Sequence, residues 1–170
     1  YFDRGIDWAA MVALAEYGFR SKDGFTSVDE AVEFYREVAT SVGAIAADVV
    51  APRAAALDRE EAHIVDGEVL EGPAMQAICE AFRQADLHRM CVPRELDGLS
   101  VPLVVYYLGG EMLARGDVGV MTHFAFHAGI AMALLAYSTS EGSTTFDSKS
   151  ARIAETRFGR EIKDMASGAA

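Results

Sequence analysis

A chain of 170 residues, 51% hydrophobic and 24% charged, is long enough to bury one proper core and has ordinary globular composition, which excludes disorder over most of its length. A formal net charge of -11 argues against general nucleic-acid binding, which draws on clustered Lys and Arg, and otherwise signals only solubility. Cys79 and Cys91 form neither a disulfide framework nor a C-x-x-C, so a reduced, cytoplasmic setting is expected.

In chain order, Asp7 is placed to cap a short helix with Trp8, Met11, Val12 and Ala15 on one face, stopped near Gly18. Residues 20–26 are polar and read as a linker, dividing a leading segment, 1–26, from a domain over 27–170. Ser27 and Glu30 have the spacing of a capping box. Behind them Val28, Ala31, Tyr35, Val38, Val42, Ile45 and Val49 form one apolar seam until Pro52 breaks or kinks the helix. That seam would serve either antiparallel packing in a bundle or a coiled-coil dimer. Residues 53–61 add a further turn or two. Residues 63–70 read as a small hairpin turning at Asp66-Gly67, or as an extended loop.

Gly72 and Pro73 open a helix with Met75, Ile78, Phe82 and Ala85 inward. Residues 86–99 are irregular. Ser100 and Pro102 start another helix, expected to end at Gly116 by the C-terminal glycine rule, and Asp117 is placed to cap the next. Val118 to Tyr137 is apolar on nearly every side, which predicts a central, buried helix. It is about as long as a bilayer span, roughly 20 residues. Its histidines, and the want of a Lys or Arg close after its C-terminal end and of an aromatic belt, favour a core helix over a membrane span. Residues 138–150, rich in Ser and Thr, read as a mobile loop, and a last helix is expected over about 151–166, stopping at Gly168. The sum is an all-α fold, a bundle of about five to six helices around one central helix.

Three pieces of this chain, VPRELDGLSVP (92–102), LGGEMLARGDVGV (108–120) and FHAGIAMALLAYS (126–138), resemble in order and spacing the N-terminal helical domain of the acyl-CoA dehydrogenase family. That family shows a VPxExGGLG loop, an EELARxD helix end and a VHNSLAAxPILxFG helix; DMASG (164–168) is similar to its KLASG. The resemblance covers roughly residues 30–170. It departs at Ser138, where the family has Gly, and in about a dozen inserted residues that follow.

The resemblance implies a flavoprotein that carries out α,β-dehydrogenation of an acyl-CoA with FAD, passing electrons to an electron-transfer flavoprotein and assembling as a homo-oligomer. It implies that the Val118–Tyr137 helix lines the slot for the acyl chain, with Thr122, Phe126 and Ile130 on the lining face and His123 nearby. The flavin motif, the β-barrel domain, the C-terminal helical domain and the catalytic glutamate are not among these 170 residues. Beginning at Tyr1 and ending at Ala170, the chain reads as a piece of a longer protein, inactive alone.

Other chemistry is weakly signalled. His123 and His127, at i and i+4, could grip a metal from one helix face, but lack the Glu of H-E-x-x-H and an evident third ligand; a structural role is the plainer reading of His127. Glu111 is expected to be buried in a structural ion pair with an Arg. No Rossmann fingerprint, P-loop or G-x-S-x-G elbow occurs. The alternatives are a non-catalytic helical interaction module, which would present a polar exterior, and a small metal-binding bundle. A domain built to meet neighbours would expose an apolar face.

Overall fold

The computed structural model describes residues 1–168 and is 61% helical. Helix α1 (Trp8–Ala15) is capped by the Asp7 carboxylate, which accepts from the Ala10 N–H, and buries Val12. Helix α2 (Val28–Ile45) starts at Ser27, whose hydroxyl accepts from Glu30 N at 3.2 Å. The reciprocal half of the predicted capping box is shifted by one residue. Glu30 reaches back to the N–H and hydroxyl of Thr26, both at 2.9 Å.

The helix does not stop at Pro52. It passes through a π turn (Ala46–Val50) and a 3-10 turn (Ala51–Arg53) into α3 (Ala54–Leu57). Widening the ladder to i+5 absorbs the bonds that Pro52 cannot make. It also rotates the seam, so the residues buried after Val42 are Ala46 and Val50, with Ile45 and Val49 only partly covered. The seam packs on α1 and on α5 (Leu103–Gly116) within the chain, the bundle arrangement.

Strands β1 (His63–Val65) and β2 (Glu68–Leu70) pair antiparallel, with Asp66 and Gly67 both at positive φ, as a two-residue hairpin turn requires. Helix α4 (Pro73–Gln84) buries Ala74, Ile78 and Phe82. Two 3-10 turns, Leu87–Arg89 and Arg94–Leu96, carry the chain to α5. Gly116 is the last helical residue of α5, and not a left-handed cap. A Cβ there would lie 2.9 Å from Val50 Cγ1 and 3.3 Å from the Ala46 carbonyl, so glycine lets α5 close on the π turn.

Residues 138–156 overturn the expected loop and helix start. Helix α6 (Val118–Ser140) is followed by β3 (Thr144–Asp147) and β4 (Arg152–Thr156), an antiparallel hairpin with a bulge, and α7 is only Gly159–Ser167. The Ser/Thr content that suggests a loop supplies β-branched strand residues and a set of hydroxyls. Buried Ser138 accepts from Thr144 Oγ1 at 2.7 Å and lies 2.9 Å from Thr156 Oγ1. The Ser standing where the resemblance expects Gly therefore pins the hairpin to α6.

The main core gathers Val12, Tyr35, Val42, Ile78, Phe82, Leu113 and Phe124; a second cluster joins Val92, Leu96 and Ala131 to Ile162 and Ala166 of α7. By length and composition, Val28–Leu57 and Val118–Ser140 could each cross a membrane.

Candidate functional site

Helix α6 is the element that most of the fold touches: α4, α5, α7 and both strands of the second hairpin pack on it. Asp117, in extended backbone, turns its carboxylate to accept from Val120 N at 2.9 Å and starts the helix. Val120, Phe124, Ala128 and Ala131 then face inward. The Phe124 ring stacks on Tyr106 at 4.9 Å and meets Phe82 edge-on at 5.8 Å, while the Tyr106 hydroxyl donates to the Ala125 carbonyl. Burial raises the Tyr106 phenol well above its ordinary range, so it stays a donor.

The opposite side is uncovered. Thr122, Phe126 and Ile130, spaced by four, lie on one exposed stripe; Phe126 is 58% and Ile130 42% accessible. Val118 and Tyr137 extend this apolar exposure toward the two ends. The expectation that α6 is enclosed all round is thus corrected. Its composition is uniform around the axis, but the elements that reach it cover one side only. The Thr122 hydroxyl is satisfied within the helix, donating to the Val118 carbonyl at 3.0 Å.

His123 and His127 do not converge. His123 Nε2 lies 3.5 Å from Glu71 Oε1, just past β2, whereas the His127 ring packs on His88 with centroids 4.2 Å apart. Among the described residues no group of three or more His, Cys, Asp or Glu could hold a metal ion. His88 is buried, and its pKa is lowered to about 4, chiefly by burial, then by His127 and Arg83.

Glu111 is not buried. It lies on the exposed side of α5 and pairs with Arg115 one turn on, at 2.9 Å. Among the described residues the buried acid is Glu16, fully enclosed and bound by both terminal nitrogens, Nη1 and Nη2, of Arg94. These partners are 78 residues apart, and no local pattern announces them. Arg94 does stand within the VPRELDG run, which is the one available hint.

A dinucleotide's pyrophosphate sits on free N–H groups at a helix N-terminus. Here Ser27, Asp117 and Glu60 each occupy one such N–H at the starts of α2, α6 and α4, accepting from Glu30, Val120 and Ala74. The open face of α6 is apolar at Val118, Phe126, Ile130 and Tyr137.

Comparison with known proteins matches residues 33–146, more than half of the chain, to the family described as acyl-CoA dehydrogenase, N-terminal domain. Neither the curated proteins nor the solved structures yield a match.

Proposed function

The chain belongs to the acyl-CoA dehydrogenase family by its N-terminal domain, and on that premise we propose that the outer face of α6 forms one wall of the slot that takes the acyl tail of an acyl-CoA. The observation carrying this reading is the exposed stripe of Thr122, Phe126 and Ile130 on a helix whose other side is packed. An apolar side chain of this size gains about 1.5–3 kcal/mol when fully buried. A hydrocarbon chain laid along the stripe supplies that cover. His123, half-buried beside Glu71, borders the same face.

The parent activity in this reading is α,β-dehydrogenation of the thioester, for which bound FAD supplies the oxidant. The flavin and the carboxylate that takes the α proton are contributed by the β-barrel and C-terminal helical domains. Val118 and Tyr137, at the two ends of the face, dock against those domains. An electron-transfer flavoprotein takes the electrons, and the assembly is a cytoplasmic homo-oligomer. The apolar exterior of α6 is what a domain that meets a ligand or neighbouring domains presents, and the family match, not the exposure, favours this reading over a free-standing interaction module.

The test is a chain-length series of acyl-CoAs assayed by dye reduction with the flavin-loaded, full-length protein. Phe126→Ala is expected to raise kcat/KM for longer or branched acyl groups about tenfold relative to short ones, the scale of a few methylenes in an apolar pocket. An unchanged profile in Phe126→Ala and Ile130→Ala overturns the wall. The 170 residues alone are expected to give no acyl-CoA-dependent dye reduction.

A further inference from the structure

A cavity of about 330 Å³ lies where the stretch after α1, the 91–101 loop and β4 meet. Its size is at the small-ligand end of binding pockets. The residues it takes from 15–23, and Arg152, fall outside the family match, whereas those from 91–101 fall within it. No α6 residue lines it.

Its lining joins apolar surface from Ala15, Cys91 and Val101 to the polar groups of Tyr17, Ser21, Asp23, Glu95, Ser100 and Arg152. Arg94 also borders it but is already committed, doubly bonded to Glu16 and lying over the Phe25 ring at 4.8 Å. Arg152 is the second cation of the lining; it forms only a loose, exposed ion pair with Asp23 at 3.7 Å, longer than a hydrogen bond, which a bound carboxylate can replace. Glu95 is held in place by the Ile153 N–H, which it accepts at 3.2 Å. The Ser100 oxygen accepts from Arg94 N at 2.9 Å, leaving its proton to donate. The Tyr17 phenol is raised above its ordinary range, by burial first and then by Glu95 and Glu16, so it remains a donor.

The backbone here is strained. Tyr17 and Ser100 hold φ of 51° and 52°, and Phe19 and Ala151 beside the lining hold 61° and 50°. Left-handed non-glycine residues persist where surrounding structure over-determines them, and they gather at ligand sites.

A simple anion in this cavity would meet two carboxylates, and a simple amine would meet Arg152. A molecule carrying both charges meets both needs. We propose that the cavity binds a small zwitterion of the α-amino-acid class, its ammonium received by Glu95 and its carboxylate by Arg152 in place of Asp23. This inference is independent of the acyl wall on α6.

Saturation-transfer NMR and calorimetry on the 170-residue protein, with the common L-amino acids as probes and butylamine and butyrate as single-charge controls, test it. At least one amino acid is expected to bind with a Kd of about 1 mM or tighter, and both controls at least about tenfold more weakly. Glu95→Gln, which keeps an acceptor for Ile153 N–H, and Arg152→Gln should each weaken binding about tenfold, with circular dichroism and the thermal midpoint unchanged. If either variant misfolds, Tyr17→Phe and the single-charge controls carry the test. Controls that bind as well as the amino acids, affinity unaltered in both charge variants, or no amino-acid binding at about 10 mM overturns the proposal.

Discussion

The carboxylate of Glu16 receives Arg94 through two parallel bonds, Nη1 to Oε2 and Nη2 to Oε1, each 2.9 Å. Glu16 also accepts from Phe25 N at 3.2 Å, and its charge, after burial, helps push the Tyr35 phenol up to about 12. This pair ties the leading segment to the 91–101 loop. Removing one partner leaves a buried charge uncompensated, which costs about 3–5 kcal/mol, whereas replacing both with apolar groups costs far less. Arg94→Met alone should therefore lower the urea midpoint sharply, and Glu16→Leu with Arg94→Met should recover most of the loss. Equal destabilisation by the single and the double variant would contradict this.

His88 makes stability depend on pH. Its folded pKa, about 4, lies below the ordinary 6.5, so the unfolded chain binds the extra proton between those values and the folded chain does not. The contribution is full above pH 6.5 and declines by about 1.4 kcal/mol per pH unit as the pH falls toward 4. His88→Gln should flatten that slope in denaturant titrations run across the window. An unchanged slope would show that another group governs it.

Two glycines in helices should respond in opposite directions. Gly116→Ala would drive a methyl into Val50 and lose about 1–3 kcal/mol by overpacking. Nothing lies within 4 Å of the Cβ position of Gly129, so Gly129→Ala should gain up to about 1 kcal/mol from helix propensity. Thermal unfolding of the two variants side by side reads the signs.

The two faces of α6 should separate just as cleanly. Phe124→Ser removes a ring packed between Tyr106 and Phe82 and should cost on the order of 3–5 kcal/mol. Phe126→Ser, on the open stripe, should shift stability by about 0.5 kcal/mol or less while reducing the binding of an apolar fluorescent dye. Dye binding unaltered in Phe126→Ser would mean that the exposed apolar surface lies elsewhere.

Asp7, Ser27 and Asp117 cap the helices they were expected to cap, and Asp66-Gly67 makes its turn, because each device acts within a few residues of backbone. Residues 138–156 depart from the expected loop and helix start because hydroxyl-rich strands and hydroxyl-rich loops share a composition. Only the contact of Ser138 with Thr144 and Thr156 decides between them. Glu111, expected to be buried, is exposed while Glu16 is enclosed, because burial depends on the far end of the chain: Arg94 comes to Glu16, and Glu111 pairs on the surface with Arg115.

The order of amino acids by itself determined the helical class, most helix starts and the family, since capping, periodicity and motif spacing are short-range properties carried along the backbone. Tertiary structure alone decided which side of α6 stays open, which acid is buried, and that a polar cavity forms behind Arg94. Those outcomes depend on which distant elements arrive at a surface, and an apolar helix looks the same from every side until its neighbours have chosen one.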